Sequence, residues 1–268
     1  MSALGDTYII WYRDILRFWH NKPRIISSLA MPFLWLVMFG SGMSGTFQLF
    51  GAQDFDFIQF LFPGVIGITV LMTSIFSSIS VVRDREFGFL KEILVAPVSR
   101  VSIALGKILG GATIAMLQGS LMLVLAPLVG IRLGVGMVLA LIPAIFLVAF
   151  TLASLGLVIG SRLRSTEGFQ MVMNFLMMPM LFLSGALFPL ANIPRWMEIL
   201  SKVNPASYGI DLIRQVTFHF LAVPSEIIDT FRITVFDIKL GFIEDLIIVS
   251  FFALLFVLLG VWSFTKAE

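Results

Sequence analysis

Six stretches of this chain run for 20 residues or more without a single Asp, Glu, Lys or Arg: Ile25–Gln53, Phe57–Val82, Ile108–Ile131, Leu133–Ser161, Gly168–Pro194 and Leu246–Thr265. A helix needs about 20 apolar residues to cross the roughly 30 Å hydrocarbon core, so each run is long enough for one crossing. The runs are continuous rather than alternating, and lipid requires backbone groups to be satisfied within the segment, which selects helices over a barrel. The expected fold is all-α, a polytopic membrane protein with six transmembrane helices. Composition agrees, with 59% hydrophobic and only 13% charged residues in 268, far from the soluble range. The expected organisation is a cytoplasmic amphipathic interface helix over 1–24 and a six-span permease domain over 25–268. The latter contains a coupling segment at 83–100 and an external loop at 189–245. No cleavable leader is expected, because the chain opens on a charged amphipathic stretch. The absence of Cys excludes disulfide and thiolate chemistry. A net charge of +2 is too small to point to nucleic acid.

Basic residues set the expected orientation. With the N-terminus inside, Arg13, Arg17, Lys22, Arg24, Arg83, Arg85, Lys91, Arg100, Lys107, Arg162, Arg164 and Lys266 are cytoplasmic, 12 of the 18. Both termini are then cytoplasmic, in a multi-pass protein of the cytoplasmic membrane. Ahead of the first run, Leu4, Tyr8, Trp11, Ile15 and Phe18 recur at steps of three and four. That spacing predicts an amphipathic helix at the cytoplasmic interface, serving as an anchor or also as a contact for a cytoplasmic partner.

Between the second and third runs lies Arg83-Asp84-Arg85-Glu86-Phe87-Gly88-Phe89-Leu90-Lys91-Glu92-Ile93-Leu94-Val95-Ala96-Pro97. Phe87, Leu90 and Leu94 fall at helical spacing, and Pro97 stops the helix. The segment is either a solvated turn or a helix whose apolar side fits a groove on another protein. Its residues resemble the type 2 ATP-binding-cassette exporter permeases, the family of daunorubicin-resistance and nodulation-type membrane subunits. Glu86, Gly88, Leu90, Leu94 and Pro97 match the family pattern, while Phe89, Lys91 and Ile93 depart from it. The resemblance continues through Leu105-Gly106-Lys107, Ser184-Gly185-Ala186-Leu187-Phe188-Pro189, Ile193-Pro194, Asn204-Pro205, Tyr208, Asp211 and Arg214.

The resemblance implies a permease that pairs with a second copy or a paralogue and with two copies of a separate cytoplasmic ATPase. Together they would export drugs, lipids or other amphiphiles by alternating access, with multidrug resistance one outcome. Polysaccharide or glycolipid export and ATP-independent transport are the alternatives. Glu86, Phe87, Gly88, Leu90, Leu94 and Pro97 would form the ATPase-coupling helix, and Trp11, Ile15 and Phe18 belong to the interface helix near the same ATPase. The chain itself has no phosphate-cradling loop. Its only Gly-Lys pair, Gly106-Lys107, has Val101 at the first-glycine position and Ile108 at the hydroxyl position. No cofactor is expected on this chain, and ATP and Mg would be used by the partner.

Within the second run Thr69, Thr73, Ser77 and Ser80 share one helix face. A hydroxyl stripe serves close helix packing, a translocation path, or both. In the fifth run Asn174 sits among Met171, Met173, Met177, Met178 and Met180. Thioethers adapt to varied apolar shapes, and an amide in hydrocarbon seeks a partner. Asn174 and Met177 therefore join the candidate path. Ser184, Gly185 and Pro189 then interrupt the helix, and Trp196 opens a short amphipathic stretch ending at Asn204-Pro205. This reads as a re-entrant element, which the resemblance makes the external gate. Asp211 and Arg214, three apart, are expected to form an exposed ion pair.

Other chemistries lack their residues. Gly42-Met43-Ser44-Gly45 resembles an intramembrane serine protease motif, but His20 and His219 both lie outside the apolar runs. Two scattered His without Cys make no metal cluster. The runs contain no ionisable group of the kind that proton- or ion-coupled transport places at mid-membrane.

Overall fold

The computed structural model describes residues 3–48, 57–88, 98–190, 193–224, 228, 231–235 and 238–266. The described elements are helices α1 (Ala3–His20), α2 (Lys22–Gln48), α3 (Phe57–Ser77), α4 (Ile79–Glu86), α5 (Arg100–Leu125), a 3₁₀ turn (Ala126–Val129), α6 (Val135–Gly160), α7 (Thr166–Phe182), α8 (Arg195–Val203), α9 (Pro205–Phe220) and α10 (Phe242–Lys266). Thr234–Val235 and Ile238–Lys239 form a two-residue antiparallel ladder.

Among the described residues, four helical stretches are long and apolar enough to cross a membrane: Phe57–Glu86, Arg100–Val129, Val135–Gly160 and Phe242–Lys266. A fifth candidate pairs Ala3–His20 with Ile25–Gly40 across a 72° bend. The chain is thus a polytopic, all-helical membrane protein with four to five candidate spans. The fifth apolar run departs most from its expected form. Its helix, α7, has 17 residues, about 26 Å at 1.5 Å per residue and short of the roughly 30 Å core. It ends where Gly185 adopts a left-handed φ of +72°, a conformation that suits glycine.

Close approaches between backbones hold the bundle together. A Cβ at Gly64 would lie 2.1 Å from the Ala186 carbonyl oxygen, and one at Gly156 would lie 2.8 Å from the Ile75 oxygen. These glycines let α3 meet the turn after α7 on one side and α6 on the other, as small residues do at membrane helix interfaces. Helix α1 follows the first turns of α5, with Ile10 against Gly106, Asp14 beside Gly110 and the Trp11 indole N–H donating to Thr113 at 3.0 Å.

The expected external loop contains a buried helix. Every residue of α9 from Ala206 to Phe218 is buried, and Ile210 and Gly209 meet Gly67 of α3 and Val148 of α6 near the middle of those helices. Asp211 and Arg214, expected as an exposed pair, are therefore only 2% and 3% exposed. Charge excluded this segment from the apolar runs, yet its remaining residues pack inside the bundle.

Candidate functional site

Three constellations are brought together by this fold. The first is a cavity of about 350 Å³ between α2, α3, α5 and α7. Its apolar walls include Met31, Trp35, Ile68, Met72 and Leu181. Its polar patch comes from Ser28, Thr69, Thr73 and Gln118. Gln118 is 2% exposed and joins two helices to α5: its Nε2 donates to Ser28 Oγ at 2.5 Å, and its Oε1 accepts from Thr73 Oγ1. Thr69 Oγ1 instead donates to its own helix at Val65 O, 2.8 Å, the local bond by which a hydroxyl satisfies itself in an apolar helix. Apolar walls with a few placed polar groups are the usual make-up of a small-molecule site.

The hydroxyl stripe divides near the end of α3, between Thr73 and Ser77. Thr69 and Thr73 line the cavity, whereas Ser77 donates to Ser74 O at 2.6 Å and Ser80 accepts from Lys107 Nζ at 3.2 Å. In α7, Met177 is buried and Asn174 is exposed beside Met171, Phe175 and Met178. Asn174 lies outside this cavity, and Leu181, one turn beyond Met177, supplies the α7 wall. Gln118 carries the role that an amide in hydrocarbon suggested for Asn174. Its signal was of the same kind, an amide within an apolar run.

The second constellation is the base of the segment expected to couple to an ATPase. Glu86 Oε2 accepts from the Thr166 backbone N–H at 3.0 Å and from its hydroxyl, at the start of α7. Arg85 NH1 donates to Ser161 O at 2.8 Å and Leu163 O at 3.3 Å, both in the turn between α6 and α7. Asp84 Oδ2 receives Lys107 Nζ of α5 at 2.9 Å and lies 3.7 Å from Arg13 NH2 of α1. Lys107 also lies 3.4 Å from Asp14 Oδ2, and Arg13 lies 3.5 Å from Asp14 Oδ1. Three consecutive side chains thus tie the end of α4 to α1, α5 and the α6–α7 turn. Phe87 is exposed and Gly88 has a left-handed φ of +79°. Leu90, Leu94 and Pro97 lie outside the described residues. Within α1, Phe18 is buried and Ile15 half-buried, while Trp19 is exposed.

The third constellation is the turn after α7 with the helix that follows. Ser184 Oγ donates to Leu181 O at 2.6 Å and accepts from Ala186 N at 3.3 Å. Asn204 caps α9 by accepting from Ala206 N at 3.1 Å, and its Nδ2 reaches back to Met180 O at 2.8 Å. Pro205 occupies the first helical position, where its fixed φ and missing N–H cost nothing. Ser207 Oγ donates to Leu183 O at 2.8 Å, so two α9 residues close carbonyls left open by the end of α7. Arg214 NH2 donates to Gly185 O at 2.5 Å, with its guanidinium carbon 4.4 Å from the centre of the Phe60 ring. Pro189 is half-buried and Trp196 exposed. On α8 the hydrogen bond from Lys202 holds the exposed Glu198 carboxyl below its ordinary range.

The family model described as ABC-2 type transporter matches residues 6–218, a range that includes all three constellations. The chain belongs to the ABC-2 type transporter permeases. This permease is 30% identical over 254 residues to ycf38 of Cyanophora paradoxa, named as a transport permease, covering 94% of this chain and 86% of the relative. Nodulation protein J of Rhizobium meliloti is 30% identical over 222 residues, covering 81% and 83%. YbhR of Escherichia coli, named for a multidrug ABC transporter permease, is 30% identical over 164 residues, covering 61% of this chain and 45% of the relative. The permease is a non-catalytic, multi-pass membrane subunit, and ABC-2 permeases pair with ATPase subunits.

Proposed function

We propose that this permease is the membrane half of an ATP-driven exporter of amphiphiles, drugs or lipids, that works as a dimer with a pair of separate ATPases. The observation that carries the reading is the set of ties at Asp84, Arg85 and Glu86, which join the root of the coupling segment to α1, α5 and the α6–α7 turn. A push delivered to Phe87, Leu90 and Leu94 by a closing ATPase pair is then shared among elements that reach across the bundle. Such a device needs packed elements with discrete arrangements, and the cluster at this root supplies the connection.

The cavity supports an amphiphilic cargo, because the Trp35 and methionine walls accept apolar bulk while Ser28, Thr73 and Gln118 offer weak polar contacts. The name of the multidrug relative agrees with that cargo class. In this reading α2 and α7 complete six crossings, both termini are cytoplasmic, and Ser184, Gly185, Pro189, Trp196, Asn204 and Pro205 form the external gate. Asn174 and Met177 on α7 flank the path at the dimer axis.

Purification of the tagged permease in mild detergent, with identification of what accompanies it, tests the partner. An ATP-binding-cassette ATPase recovered with the native chain and lost from a Leu90→Glu, Leu94→Glu variant that still inserts is the expected result. A stable complex without an ATPase overturns the reading in favour of ATP-independent transport.

A further inference from the structure

Asp245 begins α10 and is fully buried, at 0% exposure. Gln215 Nε2 donates both to its Oδ2 at 2.5 Å and to Asp211 Oδ2 at 3.1 Å, so two carboxylates from different helices converge on one amide nitrogen. Arg214 lies 3.7 Å from Asp211 Oδ1 and makes no ion pair with Asp245. The other Asp245 oxygen, Oδ1, is buried with no hydrogen-bond partner among the described residues. A buried carboxylate oxygen without a donor is costly, and two neighbouring desolvated carboxylates cannot both ionise cheaply.

The surrounding charges do not remove that cost. On α9, Arg214 is engaged with Asp211 and the Gly185 carbonyl although its charge also reaches Asp245, the Tyr208 hydroxyl that senses Asp245 donates to Lys202 O at 2.6 Å, and His219 is exposed at the far end of the helix. Arg232, half-buried, adds a positive charge facing Asp245, while the exposed Glu244 adds a negative one beside it. Helices α3 and α6 contribute no charged residue. The positive end of α10 favours an anion, but by less than the cost of burying an unpaired carboxylate.

We propose that Asp211 and Asp245 form a proton-binding site that holds one shared proton between α9 and α10, carried on Asp245. Proton uptake removes one of two anions that meet at Gln215 and turns Asp245 Oδ1 from an acceptor without a donor into a group able to donate, while Asp211 stays held by Arg214 and Gln215. Proton loss leaves two adjacent anions and separates α9 from α10. Because Arg214 also holds the Gly185 turn, acid favours the closed gate; this consequence alone rests on the exporter reading.

The test uses the full-length permease in lipid nanodiscs. Infrared difference spectra at neutral pH are expected to show a protonated-carboxyl C=O band that Asp245→Asn removes. Thermal unfolding across about pH 5 to 9 is expected to show native stability falling as pH rises, because the folded state holds a proton the unfolded chain releases. Asp245→Asn, which keeps the donor, is expected to lose that slope while staying folded. A spectrum without the band, a band unchanged by Asp245→Asn, or equal pH slopes in the two proteins overturns the proposal. Neither readout involves transport, so failure here is distinct from failure of the exporter reading.

Discussion

Two buried charge clusters tie this permease together, and they differ in how closely their carboxylates are paired. At the root of the coupling segment, Arg13 and Lys107 face Asp14 and Asp84, two cations for two carboxylates drawn from α1, α4 and α5. Between α9 and α10, Arg214 lies 3.7 Å from Asp211 and the half-buried Arg232 faces Asp245, but Asp245 makes no ion pair among the described residues. A buried charge is tolerable when paired and hydrogen-bonded, and costly when left over. The ion-paired cluster therefore acts as a clasp, while the proton site proposed between α9 and α10 would respond to proton supply. The difference also suits their places. In the proposed exporter the clasp would lie where a mechanical push is carried, and the proton site would lie beside the turn read as the gate.

Lys107→Ala leaves Asp14 and Asp84 with Arg13 as their one remaining ion-pair partner and carries the largest expected effect. Removing one partner of a buried pair typically costs about 3–5 kcal/mol. The variant should unfold at lower temperature at neutral pH and recover part of the loss in acid, where a protonated carboxyl is cheaper to bury. A melting temperature equal to that of the native chain would break the comparison. Gly64→Ala probes the scaffold of the second cluster instead. Its Cβ would lie 2.1 Å from the Ala186 oxygen, and such overpacking costs about 1–3 kcal/mol. It should also displace the Gly185 turn, read as faster protease nicking between α7 and α8.

Gln118→Leu separates charge from polarity. It leaves the Thr73 hydroxyl without its interhelical acceptor and should cost roughly 1–2 kcal/mol with no change in pH dependence. Its effect on export of an amphiphile should exceed its effect on stability, measured in vesicles beside unfolding curves. The smallest expected change is Ser99→Ala, which removes the cap that accepts from Ser102 N at the start of α5. A loss of about 1 kcal/mol without altered coupling is expected, since the cap supports the helix that carries Lys107 but does not touch the cluster.

Much of the helical framework was legible because its signal is the absence of charge. The runs at 57–82, 133–161 and 246–265 correspond to helical stretches at Phe57–Glu86, Val135–Gly160 and Phe242–Lys266. The same criterion hid α9, whose Asp211 and Arg214 suggested exposure although Arg214 donates to the Gly185 turn and the neighbouring Gln215 reaches Asp245 of α10. A long-range partner cannot be seen in local spacing. Asn204-Pro205 carried a readable helix start, yet its second bond, to Met180 O, depends on the chain doubling back. Gln118 and Asn174 present the same sequence signal, and only the packing of α5 inside and one face of α7 outside distinguishes them. Lys107 appeared as part of a family match, whereas its clasp with Asp14 and Asp84 needs three elements to meet.

The most direct test of coupling through the α4 root is a simultaneous measurement of ATP hydrolysis and amphiphile export in vesicles holding the permease and its ATPase. Native protein is compared with Leu90→Glu, Leu94→Glu protein inserted to the same level. The account predicts that export is lost and that hydrolysis no longer responds to the transported molecule. Export and stimulated hydrolysis at native levels in the variant would contradict it.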